Sequence, residues 1–193
     1  MRRTLLLAVL ALAAAGCPDD LAQRCPPESL PSGHYTLTTT VVDTPDECLV
    51  VRSADGGSPP KDGSILLSRE SSTDSILCAG NSDAGPTVYL IVANSSVVRQ
   101  TPLDPDGGFT FLSTQLQAPS LCSCTTDVNE TISGLFAGGG SSGFGLGADS
   151  GLEPQPTGIN GSIVQTLSNP DGGPCLCDIP CALHYMLGGT PNR

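Results

Sequence analysis

The chain has no tryptophan, and only four phenylalanines and three tyrosines among its 193 residues. Few large side chains mean a thin core for this length, and crosslinks that constrain the unfolded chain would offset it. The same lack works against sugar binding, where tryptophan is the usual stacking surface and tyrosine the remaining substitute. Basic residues are scarce as well: eight Lys and Arg stand against nineteen Asp and Glu, a net charge of −11. No basic run occurs, and a surface of this sign repels phosphate backbones, so nucleic acid is excluded as a partner. Histidine occurs only at His34 and His184, which leaves little to build zinc ligation or a Ser-His-Asp relay from. No apolar run reaches the roughly 20 residues that a membrane-spanning helix needs.

What is present is concentrated at the start. Arg2 and Arg3 precede an uncharged apolar run over residues 4–13, followed by the small residues Ala14-Ala15-Gly16 and then Cys17. This is the layout of a secretory signal. The ending Ala14-Ala15-Gly16-Cys17 resembles the lipobox of bacterial lipoproteins, with Ala14 where a leucine is usual and Leu12 two places earlier. The resemblance implies a signal peptide over residues 1–16, cleavage before Cys17, and acylation of the Cys17 thiol with chains such as palmitate. It also implies an address in a bacterial cell envelope, at the outer membrane, facing the periplasm or the cell surface. The lipid membrane is then one partner, through the acylated Cys17, and an unidentified protein or envelope ligand the other. The alternatives are an ordinary signal peptide cut near Ala15 or an uncut N-terminal anchor.

Cleavage there leaves 177 residues with six basic groups against nineteen acidic ones, a charge of −13. Eight further cysteines remain: Cys25, Cys48, Cys78, Cys122, Cys124, Cys175, Cys177 and Cys181. An even number in an exported chain reads as four disulfides, with 105 possible pairings. Parity agrees with a ninth, lipidated cysteine. Zinc is the weaker reading, since no C-x-x-C pair occurs. The side chains of a C-x-C pair on one strand run parallel near or past bonding range, so each member is expected to bond to another segment. At least one bond should join Cys122 or Cys124 to residues 175–181.

Residues 17–32, with prolines at 18, 26, 27 and 31, read as a tether, and residues 33–193 as one β domain. Strands are expected at 34–42, 48–52, 64–68, 75–78, 87–93 and 109–116, with 87–93 (TVYLIVA) apolar on both faces and most buried. From 122 to 136 the even positions form the inner set, and from 175 to 187 the odd ones. No segment after the signal shows a sustained helical period. Asp-Gly-Gly at 55, 106 and 171 supplies tight turns. The fold class expected is all-β, an antiparallel β-sandwich or barrel-like sheet stapled by disulfides.

Residues 138–158 form a glycine-rich loop that spells both G-x-G-x-x-G and G-x-S-x-G. Either motif needs a helix after it to place its amides or expose its serine, and the sequence offers none. Asp104-Pro105-Asp106 begins like a Ca²⁺ loop, but Phe109-Thr110-Phe111 continues as a strand. Glu130 falls on the inner set between Val128 and Ile132, where an unpaired charge is costly, so a salt bridge or an outward bend is expected, with a shifted-pKa acid or a ligand-binding group at a sandwich end as the alternative. No catalytic residue, metal ligand or cofactor is assigned. The reading is a lipid-anchored binding or structural module. An exported hydrolase and a Ca²⁺-dependent adhesive domain stand as alternatives.

Overall fold

The computed structural model describes residues 21–42, 48, 50–53, 65–68, 70–83, 85–117, 124, 126–138, 156–175 and 178–192. The expectations that concern Cys17, Cys122, Cys177 and residues 139–155 of the glycine-rich loop lie outside them. Among the described residues, ten strands follow one 3-10 turn, Leu21–Arg24. They are β1 (Ser29–Val42), β2 (Val50–Ser53), β3 (Ile65–Ser68), β4 (Glu70–Ser82), β5 (Gly85–Val92), β6 (Val98–Pro102), β7 (Gly108–Gln117), β8 (Asp127–Ala137), β9 (Gly158–Ser168) and β10 (Cys181–Pro191).

Eight of them form one antiparallel sheet in the order β6-β5-β4-β1-β10-β9-β8-β7. The sheet curls into a nearly closed barrel, because its two end strands are consecutive in the chain and meet again. Of the two forms expected, the barrel is the one adopted. Alternation drives it. In β1, Tyr35, Leu37 and Val41 are buried while the residues between them are more open. In β8 the even positions Val128, Glu130, Ile132 and Phe136 are buried, as the pattern predicts. Tyr35, Leu77, Leu90, Phe109, Phe111, Ile132, Ile163 and Leu187 meet in the interior.

Glycine lets two strands and an aromatic ring approach closely between β8 and β9. Gly134 of β8 faces Gly161 of β9 in register. A Cβ on Gly134 would stand 2.2 Å from the Asn160 carbonyl and 2.8 Å from the Phe109 ring. The ring occupies the space that a side chain would need, and it also stacks 4.4 Å from Phe136, the usual repair for a bare glycine in a sheet.

The tether expectation is corrected for residues 21–32. Leu21 is buried against Ile76 and Cys78 of β4 and Ile91 of β5 on the outside of the barrel. Cys25 is bonded to Cys78. The chain therefore enters the fold at Leu21 and pairs from Ser29, not from Gly33. The prolines do not prevent this, because Pro31 sits beside a register shift in the β1–β4 ladder, where a missing N–H is tolerated. This cover explains why β4 is buried on both faces from Ser75 to Gly80. The same cover buries Ile91 on the outer face of β5.

Three further corrections concern β2, β3, β6 and the last strand. β2 and β3 pair in parallel as a separate two-stranded sheet. β6, Val98–Pro102, was not expected at all. The odd-position strand over 175–187 begins only at Cys181, since Pro180, behind a cis Ile179–Pro180 bond, has no N–H to give a ladder.

Three disulfides join described residues: Cys25–Cys78, Cys48–Cys181 and Cys124–Cys175. None joins a C-x-C pair, and Cys124 bonds to the 175–181 segment. Their sequence separations are 53, 133 and 51 residues. Loop-closure entropy makes the longest the most stabilising, by about 0.8 kcal/mol over the other two. Paired Cys→Ser variants should each lose about 2–5 kcal/mol in urea unfolding, with Cys48/Cys181 losing most. An equal or reversed order would show that native-state contacts outweigh the entropy of the unfolded chain.

Candidate functional site

Charge enters the barrel interior at one described place. Arg99 of β6 and Glu130 of β8 are 7% and 6% exposed and form an ion pair at 2.7 Å from Nη2 to Oε1. Arg99 Nε donates to the same Oε1 at 2.8 Å. Gln165 Nε2 on β9 donates to Glu130 Oε2 at 2.8 Å, and the Tyr185 hydroxyl on β10 donates to Gln165 Oε1 at 3.3 Å. Four strands thus contribute to one chain of bonds: β6, β8, β9 and β10.

Register explains the convergence. Glu130 stands opposite Ser113 of β7 and Gln165 of β9, so three inward positions form one rung. Both carboxylate oxygens of Glu130 are occupied, which answers the sequence expectation with a salt bridge and not a bend. Compensation is incomplete, because Arg99 Nη1 and Ser113 Oγ are buried with no partner. Tyr185 is pushed up to about 12 by its burial and, secondarily, by the negative charge of Glu130. Tyr35 is also pushed up to about 12 by burial, with its hydroxyl donating to the Pro156 carbonyl at 2.7 Å.

This constellation can hold strands in place. Glu130 is engaged on both oxygens, and the cluster sits under apolar cover. At the adjoining end, Val128, Leu167 and Leu183 pack with Cys48, Cys124, Cys175, Ile179 and Cys181. Two of the three disulfides therefore lie in the plug over the polar cluster, while Cys25–Cys78 lies on the outer wall.

The other sequence candidates do not join it. His34 is exposed on β1, and His184 is half-buried on β10. Asp104 and Asp106 build the β6–β7 turn: Gly107 N donates to the Asp104 carbonyl at 2.9 Å, and Gly108 N to Asp106 Oδ1 at 3.2 Å. An open surface cleft of about 440 Å³ lies beside the Cys124–Cys175 bond, lined by Asn169, Gly172, Gly173, Ile179 and Pro180 among others. Among the described residues no group of His, Cys, Asp or Glu is placed to hold a metal ion. Sequence reasoning found Glu130 but missed Arg99 and Gln165. No family model, curated protein or solved structure matches the chain.

Two outcomes follow from the buried pair and the buried phenols. Glu130→Ala and Arg99→Ala should each cost about 3–5 kcal/mol, because either leaves an uncompensated buried charge, whereas Arg99→Met with Glu130→Leu should recover most of that loss. Denaturant melts of the two singles and the double form the test, and strict additivity would refute the coupling. The phenols act through pH. Both are held protonated in the fold above the ordinary value of 10, so their contribution to stability is fully present below pH 10 and is lost as pH rises toward 12. Titration at 295 nm should show Tyr35 and Tyr185 ionising only around pH 12 or on unfolding. Ionisation of all three tyrosines near pH 10 with the fold intact would contradict their burial.

Proposed function

We propose that this chain is an envelope lipoprotein held to a bacterial membrane by an acylated Cys17, with the barrel as its binding or structural module. The observation that carries the reading is the lipobox-like Ala14-Ala15-Gly16-Cys17 placed only four residues before Leu21, where the described fold begins. The three disulfides support an oxidising, extracytoplasmic location.

The barrel wall supports recognition from outside. The interior is filled with side chains, and the outward positions of β1, β8 and β9 carry Thr36, Thr38, Thr40, Asn129, Ser133, Asn160, Ser162 and Thr166. A membrane-spanning barrel has the reverse pattern, an apolar band outside and polar groups within. The membrane contact of the proposed function is therefore a lipid anchor on a water-facing barrel.

Mass spectrometry of the protein extracted from membranes tests this. The expected species starts at Cys17 and carries acyl mass, and Cys17→Ser should leave a soluble or uncleaved chain. An unmodified Cys17 in membrane-extracted protein would overturn the proposal.

A further inference from the structure

The first described residues are not a leash but part of the barrel wall. Leu21, 6% exposed, is seated on Ile76, Cys78 and Ile91 of β4 and β5. Four residues later Cys25 is bonded to Cys78 in the same wall. Arg24 fastens the segment a third time, through Nη1 to the Val92 carbonyl at 3.4 Å and through Nη2 to the Ser95 carbonyl. Whatever path residues 18–20 take, four peptide steps from Cys17 to Leu21 cannot span more than about 14 Å.

From this we infer that the barrel lies against lipid headgroups through the wall formed by β4, β5 and residues 21–30, with the β8–β9 wall turned to solution. The inference rests on the proposed acylation of Cys17. Acyl chains anchored at Cys17 put the headgroup layer within that 14 Å of Leu21, which is on the side of the barrel and not at an end. In a ring ordered β6-β5-β4-β1-β10-β9-β8-β7, β9 lies four strands from β5, and β8 four strands from β4. Those two strands are consequently the farthest from the anchor.

The chemistry of the near wall fits such a contact. Leu30 pairs with Ala79 of β4, so it stands on the inner-face side at the rim of this wall, where β1 runs past the end of its pairing with β10, and at 76% it is the most exposed large apolar side chain among the described residues. Gln23, Pro27 and Glu28 of the same segment are exposed as well. One exposed leucine in a segment that otherwise presents an amide, a proline and a carboxylate suits a surface that rests on the headgroups without inserting deeply. The far wall then presents Asn129, Leu135, Asn160 and Ser162 to a partner in solution.

The absence of tryptophan makes the test clean. Leu30→Trp and Leu135→Trp each place a single indole at an exposed leucine, the second being 55% exposed on β8, so neither alters the core. Each full-length, acylated protein is bound to nanodiscs that contain dansyl-headgroup lipid, and energy transfer from indole to dansyl is read. Transfer should be several-fold greater from position 30 than from 135. A 20-residue Gly-Ser insertion after Asp20, with an r.m.s. reach of about 25 Å, should remove most of the difference. Equal or reversed transfer in the acylated protein would overturn the orientation. A product without acyl mass that does not load onto discs would instead overturn the anchoring on which it rests.

Discussion

The barrel depends on how its sheet closes. Seven junctions between neighbouring strands carry backbone ladders, while β6 and β7 stand at the two ends of the hydrogen-bonded order. Near their turn, Asp104 N donates to the Gly108 carbonyl, and farther along, the Arg99–Glu130 pair joins β6 to β8 across the inner face of β7. Side-chain charge thus takes part where main-chain bonding runs out. Two open edges would otherwise present unpaired N–H and C=O groups to other chains. The pair also sets register. A one-residue slip of β6 would turn Arg99 to water, bring Val98 or Gln100 inward, and leave Glu130 charged among apolar neighbours, which is far costlier than the native arrangement.

Closure alone would not hold a chain so poor in large side chains. Each of the three hydrophobic clusters has its own device. The central one uses aromatic stacking over paired glycines, with Phe109 against Phe136 and Phe111. The end plug and the outer wall each enclose disulfides. Bonds with separations of 51 to 133 residues lower the entropy of the unfolded chain, which a larger core would have made less necessary. The cystines also bury sulfur in contact with aliphatic groups, so they serve as core as well as crosslinks.

Much of this was legible in the residues. Alternation in β1, β8 and β10 put the correct side inward, and the even run from Val128 to Phe136 placed Glu130 inside the barrel. Where reading failed, a physical reason is visible. β6 reads V-R-Q-T-P, and its buried positions are Arg99 and Thr101 while Val98 is exposed. Its polarity pattern is inverted, because it must offer a cation to Glu130, so no hydrophobic period marks it. The two errors are one: missing β6 meant missing the partner of Glu130. The prolines of residues 26–31 suggest a tether because proline weakens pairing in general, but a bulge and a disulfide make them tolerable here. Pairing of the cysteines is set by topology, and nothing in their spacing names it.

Filling the interior has a consequence for recognition. Barrels that carry ligands inside keep space there, whereas this one spends its inward positions on Tyr35, Phe111, Ile132 and their neighbours. For the proposed binding role, recognition would then fall to outward side chains on rigid walls. Those walls are rich in threonine, serine and asparagine and poor in charge on β1, β8 and β9. Short hydroxyls and amides lose little rotamer freedom on contact and form bonds that salt does not screen. A partner of the proposed module, matched to them, would be neutral and rich in hydrogen-bonding groups. The net charge of −11 on the chain would then serve solubility and discourage anionic competitors, a division of labour between the walls and the turns of one small barrel.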